Sequence, residues 1–259
     1  MMRARVLAGE PMIGLAACVL RSVEILVLAQ RCAFDWLLVD MEHTPITIGE
    51  AGSLATAGQA AGFPVIVRVG GPDHPDLARV LDCGAEGVLV PHVDSAAQAR
   101  RIVALCRFAP AGQRSLPSPL ARFGFQMPPA EEMMRATDRA TLIIAMIESA
   151  AGLAEVEQIA AVPGLDALMV GANDLAAGMG YPGKLDHSSV HAAFRHIATA
   201  ASRHGLAFGV IGVPEALLGP LAHDLGARLI VATNDVNLLL DAGAAMVCRL
   251  RGTLPDARR

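Results

Sequence analysis

Two carboxylates give the clearest chemical signal in this chain of 259 residues. Glu148 ends the apolar run LIIAMI, and Asp174 follows the apolar run ALMVG. Strands of a parallel sheet are buried on both faces, so the residue that ends such a run is the first to meet solvent. Two carboxylates there could bind Mg²⁺ or Mn²⁺ and leave ligand positions free for water and substrate. The alternative for each residue is a helix cap, because a helical segment follows each.

Three further polar residues lie at the ends of predicted strands, namely Asp40, His43 and Arg68. His43 follows Asp40 by three residues, so the Asp40 carboxylate could orient the imidazole and raise its basicity as a general base. Arg68 lies in PVIVRV, where a guanidinium is costly to bury without an anionic partner, which predicts a contact with a carboxylate or a developing oxyanion. The alternative for His43 is an ordinary surface histidine, and the alternative for Arg68 is a structural ion pair.

The segment GANDL adds a turn at a predicted helix N-terminus. The backbone N–H groups of Gly171 and Ala172 could hold a substrate carboxylate there. His92 also follows a strand, but no partner lies at a defined spacing, which favours packing or substrate shaping over metal binding for this residue.

Covalent catalysis has little support in the sequence. Lys184 is the only lysine and lies in the loop YPGKLD, so no lysine ends a strand where a Schiff base would form. Neither a GxSxG motif nor a GxGxxG motif after the first strand is present, which argues against a serine nucleophile and a nucleotide cofactor. A divalent metal ion is then the expected electron sink.

Apolar runs alternate with helical segments along the chain, which predicts a single-domain (β/α)8 TIM barrel. A doubly wound open sheet is the main alternative. A Pro- and Gly-rich stretch over about residues 107–141 predicts an active-site loop and a short helix. The eight predicted strands are roughly residues 12–18, 36–40, 64–69, 86–91, 142–148, 166–171, 207–212 and 228–232.

Composition and charge limit the classes of molecule that the protein is expected to bind. The net charge of −4 and the absence of a basic run before the final ARR argue against nucleic acid, so we expect a small-molecule substrate. Charges interrupt the most apolar N-terminal stretch, and no signal peptide is evident, so we expect neither a membrane span nor export, and a cytoplasmic location. Five cysteines without CxxC spacing indicate reduced core residues.

In order and spacing, the segments FDWLLVDMEHTP, FPVIVRV, LDCGAEGVLVPHV, MIESAAGL and GLDALMVGANDLAAGMG resemble the HpcH/HpaI family of metal-dependent class II pyruvate aldolases. The resemblance covers most of the chain. It implies that Glu148 and Asp174 bind a divalent ion (Mg²⁺, Mn²⁺ or Co²⁺) that chelates pyruvate, that Arg68 steadies the enolate, and that His43, oriented by Asp40, is the base. The expected reaction is reversible cleavage of a 4-hydroxy-2-oxo acid to pyruvate and an aldehyde.

The resemblance also implies a homohexamer, in which Asp82 reaches a neighbouring subunit's site. The chain departs from the family at Met146, where similar aldolases often have glutamine, and in the loop over residues 112–122. These departures affect the expected choice of substrate. Two alternatives stay open: a lyase of the citrate-lyase type that acts on acyl-CoA thioesters, and an inert barrel that binds a keto acid.

Overall fold

The computed structural model describes residues 1–117 and 119–253. Eight parallel strands close into a barrel in chain order, and β8 pairs with β1. The predicted (β/α)8 barrel is confirmed. The strands are β1 (Met12–Ala17), β2 (Trp36–Asp40), β3 (Val65–Arg68), β4 (Gly87–Val90), β5 (Leu142–Ile147), β6 (Ala167–Gly171), β7 (Ala207–Ile211) and β8 (Ala227–Asn234).

Helices surround this barrel, and most begin shortly after a strand ends. Thr47 caps the helix after β2 with a capping box, in which Glu50 bonds back to the cap residue. The helices are α1 (Met2–Leu7), α2 (Glu24–Arg31), α3 (Ile48–Ala61), α4 (Leu77–Asp82), α5 (Ala96–Cys106), α6 (Ala130–Ala140), α7 (Ala150–Ala154), α8 (Val156–Ala160), α9 (Ala172–Gly178), α10 (Ser188–Arg203), α11 (Glu215–Asp224) and α12 (Asp235–Thr253).

The barrel interior is filled with side chains and forms a closed apolar layer beneath the carboxyl ends of the strands. Trp36 is fully buried there, and its Nε1 donates a hydrogen bond to the carbonyl oxygen of Met12 at 3.2 Å. Gly14 on the neighbouring strand makes room for this ring, because a Cβ at Gly14 would overlap the indole. The packed interior therefore supports the residues at the carboxyl ends of the strands.

The stretch over residues 107–141 lies elsewhere than expected. Arg107, just after α5, pairs with Asp166 at 2.7 Å and donates to the carbonyl of Thr141 at 3.0 Å. Both partners precede strands, so they anchor this stretch at the amino end of the barrel. None of its described residues lines the cavity at the carboxyl end. The expectation that this stretch forms a loop at the chain's own active site is therefore corrected for its described residues. Residue 118 lies outside the described part of the chain.

The cysteines also differ from the expectation of core residues. Cys106 is buried, but Cys32 and Cys248 are exposed. Within residues 1–117 and 119–253, no helix is both long enough and apolar enough to cross a membrane.

Candidate active site

A cavity of about 1110 Å³ opens at the carboxyl ends of the strands. Active sites of (β/α)8 barrels gather at this face. All but one of the residues predicted for the site line this cavity, namely Asp40, His43, Arg68, Glu148, Gly171, Ala172 and Asp174. The exception is Asp82.

Arg68 and Asp40 form a bidentate ion pair at the floor of the cavity. They are partners in the register of β2 and β3, which places their side chains side by side. Arg68 Nε and Nη2 donate to the two Asp40 oxygens at 2.8 and 2.7 Å. Burial lowers the pKa of Arg68, but the hydrogen bond and charge of Asp40, together with the charges of Glu42 and Glu148, outweigh burial and leave that pKa raised. The guanidinium is therefore a permanent positive charge.

His43 does not have the partner that the sequence indicated. Its backbone N–H lies 3.4 Å from Asp40 Oδ1, whereas its imidazole Nε2 lies 3.6 Å from Glu42 Oε2. Both carboxylate oxygens of Asp40 bind Arg68. Asp40 therefore contacts the backbone of His43 and not its imidazole ring. The carboxylate beside the imidazole is Glu42, which corrects the expected orienter. The His43 side chain is 60% exposed, so a substrate in the cavity can reach it.

Glu148 follows β5 and is buried against the backbone beyond β4. Its Oε1 accepts the backbone N–H of His92 at 2.7 Å. Burial raises the pKa of Glu148; the His92 hydrogen bond opposes this shift, and the nearby charges of Glu42 and Asp174 add to it. A cation beside Glu148 would offset this cost of holding several carboxylates together.

His92 has carboxylate partners on both sides, which spacing in the sequence did not show. Its Nε2 lies 2.8 Å from Glu42 Oε1, and its Nδ1 lies 3.1 Å from Glu148 Oε1. The backbone of His92 has a φ of 56°, a left-handed conformation that turns the chain sharply after β4. One ligand atom from each of Glu42, His92 and Glu148 lies within 4.8 Å of the others, a spacing that could hold a metal ion.

The carboxylate of Glu148 fits only because residue 171 is glycine. A Cβ at Gly171 would collide with Glu148 Oε2 and would crowd Met146 Sδ. Gly171 ends β6 and Ala172 begins α9, so Asp174 lies in the first turn of that helix. Met146 is buried and places a thioether in the cavity lining beside Glu148.

Cys18, which lines the cavity, and Asp235, which binds the segment after β1, were not predicted. Cys18, after β1, lines the cavity, and burial together with the charges of Asp40 and Asp235 raises its pKa to about 11. Asp235, which begins α12, is buried and accepts the backbone N–H groups of residues 18, 19 and 20 at 3.1, 3.0 and 2.7 Å. The only sequence signal for these residues was that each follows a strand.

Asp82 is the predicted residue that lies away from the cavity. It ends α4, which precedes β4, and therefore lies at the amino end of the barrel. Its carboxylate accepts a hydrogen bond from the buried Arg114 at 2.6 Å, and its side chain is 34% exposed. Asp82 therefore does not contribute to the cavity of its own barrel.

Comparison with known proteins places this geometry in a family. The family model described as HpcH/HpaI aldolase/citrate lyase matches residues 20–241. A 4-hydroxy-4-methyl-2-oxoglutarate aldolase of Hapsidospora irregularis is 36% identical and covers 86% of this chain and 84% of its own. A hydroxypyruvate/pyruvate aldolase of Paraburkholderia phytofirmans is 35% identical, with 93% and 94% covered.

A solved structure supports the same assignment. The HpcH/HpaI aldolase of Desulfitobacterium hafniense superposes with a TM-score of 0.93 at 27% identity, covering 100% of this chain and 99% of the other. The prediction of a carbon–carbon lyase of the aldolase type is confirmed at the level of the family, which implies a small keto acid as substrate. The chain belongs to the HpcH/HpaI aldolase/citrate lyase family.

Proposed function

We propose that this protein reversibly cleaves a 4-hydroxy-2-oxo acid to pyruvate and an aldehyde with a divalent metal ion as cofactor. The observation that carries the proposal is the grouping of Arg68, His43, Glu148 and Asp174 around one cavity of a barrel from an aldolase family. The residues 1–259 would act as one barrel domain.

Glu148 and Asp174 are the residues proposed to hold the metal ion. The donor set fits, because carboxylate oxygens are preferred by Mg²⁺ and Mn²⁺, and His92 adds a nitrogen that Co²⁺ or Mn²⁺ accepts. Glu42 Oε2 is buried without a well-aligned hydrogen bond, so that side chain also has an oxygen to offer nearby. When bound, the ion supplies positive charge that offsets the negative charge of a pyruvate enolate.

Arg68 is proposed to stabilise the same negative charge from the protein side. A guanidinium carries five N–H donors. Two of them donate to Asp40, and Nη1 lies 3.2 Å from Glu42 Oε2 without an aligned hydrogen bond. The others remain for the keto oxygen of the substrate. Because Asp40 fixes the guanidinium plane, little reorganisation is needed when charge develops.

His43 is proposed as the base. In the cleavage direction it removes the proton of the C4 hydroxyl, the C3–C4 bond breaks, the aldehyde carbonyl forms at C4, and the electron pair passes to the enolate of pyruvate. Protonation at C3 then gives the pyruvate methyl group. The N–H groups of Gly171 and Ala172, which line the cavity beside Asp174, are proposed to bind the substrate carboxylate.

A homohexamer is proposed as the assembled form. Large apolar side chains are exposed on α2 and α12, including Val27 at 60%, Leu239 at 73% and Leu240 at 63%. Exposed apolar patches of this kind are typical of protein interfaces. In such an assembly Asp82, at the amino end of one barrel, would lie at the site of another subunit. We also propose that this assembly is located in the cytoplasm.

Pyruvate release tests the proposed function. A 4-hydroxy-2-oxo acid is supplied to the protein as purified, after EDTA, and after Mg²⁺, Mn²⁺ or Co²⁺ is restored. We expect turnover to be lost with EDTA and regained with at least one ion. Undiminished release in EDTA would refute the role of the metal, and tight pyruvate binding without turnover of any 4-hydroxy-2-oxo acid would refute the aldolase.

A further inference from the structure

The imidazole of His92 lies between two carboxylates that come from different strands of the barrel. Its Nε2 is 2.8 Å from Glu42 Oε1, and its Nδ1 is 3.1 Å from Glu148 Oε1. Glu42 follows β2, whereas Glu148 follows β5, and their side chains are only 8% and 3% exposed. One ring therefore connects the proposed metal ligand Glu148 with Glu42, the carboxylate beside the proposed base His43.

His92 lies behind the wall of the cavity and not in its lining. Glu148 lines the cavity, but neither Glu42 nor His92 does so. A substrate in the cavity would therefore meet the Glu148 carboxylate and not the imidazole. Any effect of His92 on the reaction would be transmitted by the carboxylates that its ring contacts.

The two oxygens of Glu148 have different surroundings. His92 contacts Oε1 twice, through its backbone N–H at 2.7 Å and through Nδ1 at 3.1 Å. Oε2 lies beside Gly171, because a Cβ at that position would collide with it. Gly171 precedes α9, which carries Asp174 in its first turn. Since His92 occupies Oε1, Oε2 is the oxygen that remains for an ion shared with Asp174.

The ring also separates two negative charges. A carboxylate oxygen of Glu42 and one of Glu148 lie within 4.8 Å of each other, and the charge of Glu42 contributes to the raised pKa of Glu148. Without the ring, two buried carboxylates would face each other directly, and like charges at this distance repel. Glu148 could then turn away from Asp174.

We infer that His92 is a positioning residue that holds Glu148 in its metal-binding orientation and is not itself a ligand of the ion. The inference rests on the proposed function, because it takes Glu148 as a metal ligand. Both ring nitrogens already face carboxylates, so the ring could bind an ion only by giving up one of these contacts. Groups that orient a metal ligand in this way commonly strengthen metal binding.

The substitution His92→Gly tests the inference, because it removes the ring and keeps the backbone N–H that Glu148 accepts. The φ of 56° at His92 suits glycine, so the turn after β4 should be retained, which circular dichroism and thermal unfolding check. Isothermal titration then measures the affinity for Mg²⁺, Mn²⁺ and Co²⁺. We expect the affinity for each ion to fall about tenfold. His92→Asn should recover part of the loss, since asparagine tolerates this backbone and its amide can donate to a carboxylate.

A second substitution tests whether the ring acts between the two carboxylates. Glu42→Gln removes one negative charge, so His92→Gly should weaken Mg²⁺ binding less in the Glu42→Gln background than in the wild type. Ala33→Gly is the control, because Ala33 also has a left-handed backbone, with a φ of 62°, but is exposed and does not line the cavity. Ala33→Gly should keep the metal affinity of the wild type.

The outcomes separate this inference from the proposed function. Unchanged affinity for all three ions in His92→Gly would overturn the inference, as would a loss of equal size with and without the Glu42 charge. A loss confined to Mn²⁺ and Co²⁺, which accept nitrogen ligands more readily than Mg²⁺, would make His92 a ligand and also overturn it. If the wild type binds none of the three ions, the proposed metal-dependent function itself fails.

Discussion

The carboxylates around Arg68 are held in different ways, and their partners separate their roles. Asp40 is saturated by the guanidinium and by backbone N–H groups, so it can position neighbours but has little capacity left for a metal ion. Glu148 is buried with a raised pKa and one backbone donor. Asp174 is exposed at the cavity. Glu148 and Asp174 are therefore the proposed metal anchor, and substitutions should distinguish their role from that of His43.

Glu148→Gln should weaken metal affinity at least tenfold, because a neutral amide replaces an anionic ligand. His43→Ala should lower kcat by about 10² or more and leave metal affinity nearly unchanged, since the imidazole is proposed to move a proton only. Isothermal titration with Mn²⁺ gives the affinity, and pyruvate release gives kcat. Equal loss of metal affinity in the two variants would contradict these separate roles.

Cys18 should behave as an unreactive thiol despite lining the cavity. Its raised pKa of about 11 leaves on the order of one molecule in a thousand as thiolate at pH 8. Iodoacetamide at pH 8 should therefore label the exposed Cys32 much faster than Cys18, and the rate at Cys18 should rise as the pH approaches 11. Peptide mapping by mass spectrometry measures both, and rapid labelling of Cys18 at pH 8 would refute the shift.

Sequence could predict which residues reach the cavity, but not what each one contacts. Position at a strand end was enough to find Arg68, Glu148 and Asp174, because strand ends of a parallel barrel share one face. The contact between His92 and Glu148 joins residues 56 positions apart on neighbouring strands and depends on a left-handed turn. No spacing rule encodes such a contact, so the sequence did not indicate that His92 lies between two carboxylates.

Among the elements, the strands were predictable and the long β4–β5 connection was not. The strands β2, β5 and β6 are buried at every position, so they are read directly as apolar runs. The segment after α5 has no such pattern. Its placement at the amino end of the barrel depends on the contacts of Arg107 with Asp166 and with the carbonyl of Thr141, which only the folded chain reveals.

The start of α12 makes a prediction about stability. Asp235 is buried and accepts three backbone N–H groups of the segment after β1, so Asp235→Ala would leave three part-buried donors without their partner and a gap at a buried position. We expect the free energy of unfolding to fall by about 2–4 kcal/mol. Urea denaturation measures the change. Asp224→Ala, on an exposed helix end, should alter it by less than about 0.5 kcal/mol, and similar values for the two variants would contradict the role of Asp235.

At the scale of the whole molecule, the exposed apolar faces of α2 and α12 are the feature that a lone barrel does not explain. Light scattering should give a mass of about six copies of the 26.9 kDa chain. The double substitution Leu239→Asp and Leu240→Asp should reduce that mass, because two charges would enter an apolar interface. Thr199→Asp, on an exposed position of α10, should not. A wild-type monomer would refute the assembly.

The central claim is that this barrel forms the enolate of pyruvate with a metal ion held at Glu148 and Asp174. Proton NMR in D₂O tests it without any aldehyde, since enolate formation exchanges the methyl protons of pyruvate for deuterium. With Mg²⁺, Mn²⁺ or Co²⁺ supplied, the methyl signal of pyruvate should decay in the presence of the wild type and persist with EDTA or with Glu148→Gln. Exchange at an undiminished rate in EDTA would contradict the account.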